Sequence, residues 1–387
     1  MRSDHDRVRL CMVLGGHWAA QMGGAQFQAK CILDVLAEDA RFETSYLARV
    51  VPAQRDWDSY RIVSFGEGLP GRAIGTLLQL PSLYLALRRQ RPQVVYQRCL
   101  MPYTGMCALY CAINGARFVF HVASDGDVHR EPLTRWSPGG LLRALSRRIS
   151  EFGMRHADAI VVQTEHQARI LKAQYGLTAT IVVPNFHPAA AHRSEVGSRP
   201  RLRILWVANI KPIKNPEMYV ELAAAFAGAA DSPEFVIIGR SGDSERYRPL
   251  HERIAALPNM TYLGELPVER VNEEIARSDL VVNTSFAEGF PNTFIQAWLR
   301  GVPVLSWRVD PDACLSRAGA GLVAADVDEM VATIRSLDAS RERLCELSAK
   351  ALQYGVERHT TAPGEALIGL FRGLAAGADS AGSAVST

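Results

Sequence analysis

The sequence lacks any apolar run of the roughly 18 residues that a transmembrane helix needs. The charged residues 1–10 lead straight into an apolar stretch, so we expect no signal peptide. The seven cysteines have neither CxxC nor zinc-ligand spacing. We interpret Cys107 and Cys111, four positions apart, as small buried apolar residues. A reducing cytoplasm fits this cysteine usage, and we expect no metal site.

The sequence also lacks a large excess of either charge. It has 43 Lys and Arg and 40 Asp and Glu, which gives a formal net charge of +3. The distribution is uneven: residues 1–185 hold 22 basic and 15 acidic residues, and the remainder holds 21 and 25. The basic half suits an anionic membrane surface or an anionic acceptor, although simple scatter of charge between two domains explains it equally well. No nucleic acid is expected, since the basic residues are not interleaved with aromatics.

Strand-like and helical stretches alternate twice along the chain, with an Ala-, Pro- and Ser-rich interruption over residues 185–200. Such alternation is typical of α/β domains with parallel sheets covered on both faces. We predict a first Rossmann-like domain over 1–185 and a second over 186–359. A helix at about 360–376 is a candidate to pack back on the first domain, and the small polar tail 377–387 is expected to be disordered. Functional loops of such domains follow the strands, and we expect the two domains to face each other across a cleft.

The most informative segment is SFAEGFPNTFIQAWLRGVPV, residues 285–304. An apolar strand leads into a loop, Pro291 takes the first position of a helix, and Gly301 suits its C-cap. The free N–H groups and the positive dipole end of this helix suit a phosphate. Glu288 stands just before the helix and Gln296 about one turn inside it. Together they form a site for a diphosphate with hydroxyl groups, which is what a nucleotide sugar presents.

Within this segment, AEGFPNTFIQAWLRGVPV resembles the E-x7-E pattern of retaining glycosyltransferases of family 4, which have the GT-B arrangement of two Rossmann-like domains. The resemblance spans about residues 8–340. In the N-terminal half it is looser, through a glycine loop and the stretches FVFHVASD and ADAIVVQTEHQ. It implies a hexosyltransferase that moves sugar from a nucleotide sugar to an acceptor hydroxyl with retention. It also implies no metal at the diphosphate and no cofactor.

The resemblance assigns roles to residues that match the family pattern. Glu288 is expected to hold hydroxyls of the donor sugar, Lys214 to pair with the diphosphate, and His121 to contact the sugar near the reaction centre. Capping or turn formation is the favoured alternative for Thr284 and for the Ser285 hydroxyl. The residues expected to bind the donor are Gly23, Gly24, Asn209, Lys211, Arg240, Ser285, Gly289, Phe290, Asn292, Thr293 and Gln296.

Two positions depart from the family pattern. Gln296 stands where the second glutamate is usual, and either binds ribose through its amide or is a buried structural residue. Asn209 stands where an arginine is usual, and Lys211 is the nearby residue that can supply the missing charge. These departures keep open a nucleotide-sugar-binding protein without activity. A GT-B-fold sugar-nucleotide epimerase is a further alternative.

The triplet Asp125-Gly126-Asp127 looks like the metal-binding DxD of a different glycosyltransferase fold, but such triplets are common by chance. Because this loop directly follows His121, we predict acceptor binding for Asp125 and Asp127 instead. The clusters Arg88-Arg89-Arg91 and Arg143-Arg147-Arg148 favour a lipid-linked or membrane-proximal acceptor over a small soluble one. The expected setting is bacterial polysaccharide or glycolipid assembly, in the cytoplasm or peripherally at the inner face of the membrane.

Overall fold

A computed structural model describes residues 7–53, 56–57, 59–68, 73–130, 138–190, 192–229, 231–242 and 244–383. The chain divides into two compact units. Unit 1 is Met1–Phe186 with Thr361–Thr387, and unit 2 is His187–Thr360. The predicted α/β architecture with a parallel sheet is confirmed in each of them.

Unit 1 contains an eight-stranded sheet in the order β3-β4-β2-β1-β5-β6-β7-β8, in which every pair is parallel except β3 with β4. Its strands are β1 Val8–Gly16, β2 Phe42–Val50, β3 Asp56–Trp57, β4 Tyr60–Ser64, β5 Val94–Arg98, β6 Arg117–His121, β7 Ala159–Val162 and β8 Ile181–Val182. Its helices are α1 Gly24–Ala37, α2 Ala73–Leu78, α3 Leu80–Gln90, α4 Pro102–Asn114, α5 Asp125–Val128, α6 Pro138–Arg155, α7 Glu165–Tyr175 and α14 Ala362–Ser383.

The two faces of the unit 1 sheet carry separate hydrophobic cores, because successive side chains of a strand point to opposite faces. From β1, Leu10 and Met12 enter a core shared with α1 and α14. Cys11 and Val13 enter the opposite core, shared with α3, α4 and α6. The C-terminal helix therefore belongs to unit 1, where Phe371 is fully buried.

Unit 2 contains a six-stranded, wholly parallel sheet in the order β11-β10-β9-β12-β13-β14. Its strands are β9 Arg203–Val207, β10 Glu234–Ile238, β11 Met260–Tyr262, β12 Leu280–Asn283, β13 Val304–Trp307 and β14 Gly321–Ala324. Its helices are α8 Pro216–Ala224, α9 Ser244–Ala256, α10 Val268–Ala276, α11 Asn292–Trp298, α12 Val327–Ala339 and α13 Arg341–Arg358.

The strand order reverses once in each sheet, between β1 and β5 in unit 1 and between β9 and β12 in unit 2. At such a reversal the two loops that leave the carboxyl ends of the neighbouring strands diverge, and the crevice between them is where open α/β sheets bind ligands. In unit 2 these loops follow Val207 and Asn283; in unit 1 they follow Gly16 and Arg98. The topology thus places the glycine loop, Lys214 and Glu288 at ligand-binding edges.

Some elements differ from those the sequence predicts. The tail predicted to be disordered is helical as far as Ser383, and Arg117 Nη2 donates to the carbonyl of Gly377 within it, 3.2 Å away. Pro291 is the N-cap of α11 rather than its first residue. Strand β14 begins at Gly321, where glycine is needed because a Cβ would lie 2.3 Å from the Val304 carbonyl oxygen. Among the described residues, no helix has the length and apolarity required to cross a membrane.

Helices α4 and α6 cross at unusually short range through two glycines. A Cβ on Gly153 would lie 2.2 Å from the carbonyl carbon of Thr104, and one on Gly105 would lie 2.4 Å from the carbonyl oxygen of Ile149. Thr104 and Gly105 of α4 thus meet the turn of α6 that contains Ile149 and Gly153. Close packing of this kind leaves no space for even one methyl group.

We therefore expect Gly153→Ala to lower the free energy of unfolding by about 1 to 3 kcal/mol, because the added methyl forces α4 and α6 apart. Gly373→Ala in α14 is the matched control, since a Cβ there has no neighbour within 4 Å. That control should be stabilising by up to about 1 kcal/mol through helix propensity. Chemical denaturation of both variants measures the difference, and equal stabilities would contradict the tight crossing.

Each unit also buries a neutral histidine. His17 in unit 1 is fully buried beside the Tyr60 hydroxyl, 2.9 Å from its Nε2, and burial lowers its pKa to about 4. His187 in unit 2 lies 3.4 Å from Asn292 Oδ1, and burial, the largest cause, lowers its pKa to about 3. An unfolded chain protonates both near pH 6.5, so between about pH 6.5 and pH 4 the unfolded state binds more protons.

It follows that stability should fall as the pH drops through this window, by up to about 1.4 kcal/mol per pH unit for each buried histidine. His187→Gln should reduce the slope of unfolding free energy against pH. The exposed His166 on α7 provides the control, His166→Gln, which should leave the slope unchanged. Denaturant titrations from pH 4.5 to 7 measure the slopes; a wild-type stability independent of pH would refute the prediction.

Candidate active site

The loops after β9 and β12 of unit 2 are held together by hydrogen bonds around Thr284, which is fully buried. The Trp206 indole N–H donates to Thr284 Oγ1 at 2.9 Å. The threonine hydroxyl in turn lies 2.8 Å from the carbonyl oxygens of both Lys214 and Asn215. The Phe286 N–H donates to the Ile213 carbonyl at 2.9 Å. Thr284 therefore fixes one loop against the other and is not directed toward a ligand.

Three of the predicted site residues meet where these loops join. Lys214 Nζ forms an ion pair with Glu288 Oε1, and the Ser285 hydroxyl donates to the same oxygen at 2.6 Å. The lysine and glutamate side chains are 25% and 16% exposed. An ammonium and a carboxylate at partly buried positions can be separated by a ligand that offers an anion to Lys214 and hydroxyl donors to Glu288.

Asn209 takes part in a junction between two loops of unit 2. Its Oδ1 accepts from the Arg240 N–H at 3.3 Å, and the Ile210 N–H donates to the Arg240 carbonyl at 2.9 Å. These bonds connect the loop after β9 to the loop after β10. Gly239 is required at this junction, since its φ is 152° and a Cβ would lie 1.7 Å from the Ala208 carbonyl oxygen. The Arg240 side chain itself is exposed.

The remaining predicted donor residues divide into core and edge positions. Gln296 is buried, and its Nε2 donates to Asn272 Oδ1 at 3.0 Å, as the structural alternative for this residue requires. Phe290 packs its ring against Trp298 and His359 in the hydrophobic core, and its role in donor binding stays a prediction. The residues at the loop edge are Lys211, which is exposed, and Gly289, Asn292 and Thr293, which are half-buried.

In unit 1 the predicted glycine loop forms the start of α1. Gly23 is the N-cap in an extended conformation, so no side-chain oxygen caps the helix. The Gln26 side chain occupies the space beside Gly23, since a Cβ at Gly23 would lie 2.7 Å from Gln26 Oε1. Gly24 is exposed as the first helical residue. Backbone N–H groups at such a start suit an anion or an acceptor hydroxyl.

His121 ends β6 and is buried against two side chains from β5. The Tyr96 hydroxyl lies 2.8 Å from His121 Nδ1, and Arg98 Nη1 lies 3.4 Å from the same nitrogen. Burial first, and the neighbouring guanidinium second, hold the pKa of His121 well below its usual range. The imidazole is therefore neutral, and it can exchange hydrogen bonds without adding positive charge.

Arg98 is a candidate site residue that the sequence analysis did not identify, and it lies beside His121. Its side chain is buried, Nη2 donates to Asn185 Oδ1 at 2.7 Å, and its Nε has no hydrogen-bond partner among the described residues. The next residue, Cys99, has a φ of 74°, a left-handed conformation that is rare for a residue with a side chain. The available signal was an arginine at the end of the apolar strand VVYQR, beside the reversal of strand order.

Asp125 and Asp127, predicted to bind the acceptor, lie in the short helix α5, which a capping box begins at Ser124. Asp127 accepts N–H groups from Leu100 at 3.0 Å and Ala123 at 2.7 Å, one on each carboxylate oxygen. Burial raises its pKa against the effect of these bonds. This carboxylate thus holds the loops after β5 and β6 together. Asp125 accepts from Gln167 Nε2 at 3.0 Å.

Comparison with known proteins places these sites in a family. A model of "Glycosyltransferase Family 4" matches residues 28–189, and a model of "Glycosyl transferases group 1" matches residues 201–339. The chain belongs to glycosyltransferase family 4. Together the matches contain His121 and the loops after β9 and β12, but not Gly23 and Gly24.

Among curated proteins, a D-inositol 3-phosphate glycosyltransferase of Nocardia farcinica is 28% identical over 232 residues, which are 54% of this chain and 51% of that protein. The chain spans about half the length of the curated relatives that it matches. Sucrose-phosphate synthase from Thermosynechococcus elongatus has a TM-score of 0.76 at 13% identity, covering 96% of this chain and 100% of that one. Anabaena HepE in complex with UDP-glucose has a TM-score of 0.71 at 14% identity, covering 97% and 100%. These structures confirm the GT-B fold.

Arg98 should influence His121 measurably. Replacing the guanidinium in Arg98→Met removes a neighbouring positive charge, so the pKa of His121 should rise, while burial keeps it below the usual value of about 6.5. The nitrogen shifts of ¹⁵N-histidine-labelled protein, followed against pH by NMR, give this pKa directly. Arg117→Met, at the opposite end of β6, is the matched control and should leave His121 unchanged. An equal His121 pKa in both variants would contradict the proposed contact.

Proposed function

We propose that the protein is a retaining glycosyltransferase that moves a hexose from a nucleotide-sugar donor to an acceptor hydroxyl. The observation that carries this proposal is the meeting of Lys214, Ser285 and Glu288 between the loops after β9 and β12. One cation, one carboxylate and one hydroxyl stand at the ligand-binding edge of a parallel sheet. This combination matches a donor that carries a diphosphate next to a polyhydroxylated ring.

In this proposal the diphosphate of the donor draws Lys214 away from Glu288, and the sugar hydroxyls replace the ammonium on the carboxylate. Negative charge grows on the leaving diphosphate as the glycosidic bond breaks, so a positioned ammonium stabilises the transition state more than the ground state. The acceptor oxygen bonds to the anomeric carbon on the face that the diphosphate leaves. The acceptor proton goes to the departing phosphate oxygen. Because Lys214 offsets the charge of the leaving diphosphate, we propose that the reaction needs no metal.

The nucleotide is supported by analogy with solved members of the fold, since HepE binds UDP-glucose. For the acceptor, the arginines of unit 1 support a lipid-linked or membrane-proximal molecule of polysaccharide or glycolipid assembly, bound at the inner face of a membrane. The neutral His121 lies at the carboxyl end of β6, where we propose that it hydrogen-bonds the donor sugar. Binding of a nucleotide sugar without transfer is the competing function, because the Gln296 amide is engaged by Asn272.

The proposal is tested first by thermal stabilisation with a panel of nucleotides and nucleotide sugars. At about 100 times its dissociation constant, the true donor should add about 2.7 kcal/mol to the stability of the wild type. Glu288→Ala should lose the part that exceeds the effect of the bare nucleotide, whereas Lys214→Ala should weaken both. Glu269→Ala, an exposed glutamate of α10, is the control and should behave like the wild type.

A donor found in this way is then incubated with acceptors in the presence of EDTA. Transfer of sugar, with the anomeric configuration kept, supports the whole proposal. Stabilisation without any transfer favours the binding protein, and conversion of the donor to an isomer in the absence of acceptor favours an epimerase. If no nucleotide sugar stabilises the wild type beyond its nucleotide, the proposed donor site is wrong.

A further inference from the structure

Exposed apolar side chains are concentrated on one layer of unit 1. Among the described residues, twelve large hydrophobic side chains are exposed, and seven of these lie on α2, α3, α4 and α6. These helices pack against one another on one face of the sheet. These four helices contain only 48 of the 387 residues but more than half of the exposed apolar side chains. The exposed apolar side chains are therefore not spread evenly over the surface. The seven residues are Leu78, Leu85, Leu109, Ile113, Leu141, Leu145 and Phe152.

On α6 the exposed residues form a single stripe. Positions 141, 145, 148, 152 and 155 are separated by alternating steps of four and three, which at 3.6 residues per turn places them within an arc of about 80°. Along this arc the residues are Leu, Leu, Arg, Phe and Arg, all of them exposed. The opposite side of the helix carries Gly153, which meets α4. Helix α6 therefore packs with one side and presents apolar and cationic groups on the other.

Helices α3 and α4 extend this surface. On α4, exposed Leu109 and Ile113 follow Gly105, which contacts α6, by one and two turns. On α3, which packs against α4, exposed Leu85 is followed at three and four positions by exposed Arg88 and Arg89. We call the exposed residues of α3, α4 and α6 the α3–α4–α6 face.

The charge of these helices has one sign. Together α2, α3, α4 and α6 contain six arginines and one acidic residue, Glu151. That glutamate is paired with Arg147 at 2.8 Å and lies 3.6 Å from Arg130, so it offers little to offset the remaining arginines. Arg147 also donates to the Tyr175 hydroxyl, and it is thereby held in the structure. The exposed cations of the face are Arg88, Arg89, Arg143, Arg148 and Arg155.

We propose that the α3–α4–α6 face docks on an anionic phospholipid bilayer. Leucine and phenylalanine side chains can enter the boundary of headgroups and acyl chains, while arginines at their edge meet the lipid phosphates. An acidic protein would satisfy the arginines but would also need an apolar groove shaped to the leucines, which a fluid bilayer does not require. The inference deepens the proposed function, because a membrane-bound transferase meets a lipid-linked acceptor at the surface where that acceptor resides.

Vesicle co-sedimentation tests this face with the full-length protein. Wild type should bind vesicles of phosphatidylcholine with 30% phosphatidylglycerol, and should bind pure phosphatidylcholine vesicles at least about tenfold more weakly. Leu141→Ser with Leu145→Ser should reduce binding about tenfold, and so should Arg88→Gln with Arg89→Gln and Arg148→Gln. Raising the salt concentration should weaken wild-type binding, since the attraction of the arginines is screened.

Matched controls come from unit 2. Val356→Ser removes an exposed apolar side chain from α13, and Arg248→Gln with Arg253→Gln removes two exposed arginines from α9. Both should bind like the wild type, with circular dichroism confirming that every variant is folded. Equal binding to both vesicle types, or equal losses in the controls, would overturn the proposal. So would a dimer in solution that Leu141→Ser with Leu145→Ser dissociates. No nucleotide sugar is present, so this result is independent of the transferase test.

Discussion

The adjacency of β9 and β12 is the constraint on which the donor site depends. Because these parallel strands are neighbours, two loops 70 residues apart in sequence emerge side by side, and Thr284 fixes their spacing through the backbone carbonyls of Lys214 and Asn215. Only after this spacing is fixed can the Lys214 ammonium reach the Glu288 carboxylate. A change at Thr284 would therefore be felt by both charged groups, although its own side chain touches neither of them. The chemistry of the site is thus set by backbone hydrogen bonds inside the loops.

The sequence predicts best the helices and strands that have a strong apolar periodicity and clear breaking residues at their ends. The apolar pattern predicts a strand over 280–283 and a helix over 268–276, and β12 and α10 have these bounds. The loop containing Glu288 is predicted from the resemblance of one segment to a family pattern. Elements with weak patterns were missed. Helix α5 is only four residues long. Strand β14 begins with Gly321, and glycine is unfavourable in strands, yet this glycine allows β14 to approach β13 closely. The signal for α5 was present in the capping box of Ser124 and Asp127, which was interpreted instead as part of an acceptor site.

Side-chain roles were less predictable than side-chain positions, for a physical reason. A polar residue at a strand end can hydrogen-bond to a ligand or to a neighbouring loop, and the sequence does not show which partner is closer. Asn209, Asp127 and Thr284 all lie at the expected ends of strands, and all three are engaged by backbone groups of adjacent loops. Arg98 shows the converse, since its burial and its contacts with His121 and Asn185 become visible only in the structure.

The discontinuity of unit 1 has a consequence for how the chain matures on the ribosome. The core beneath β1 is completed by Leu367 and Phe371, and Gly364 gives the Phe186 ring the space it occupies. At about 5 to 20 residues per second, synthesis of the 174 residues of unit 2 takes roughly 9 to 35 s. During that interval the apolar face of the first sheet is not yet covered by α14. Unit 2, in contrast, is one contiguous segment, and its core needs no residue from elsewhere in the chain. Nascent unit 1 without α14 therefore exposes an apolar surface that a chaperone can bind during synthesis.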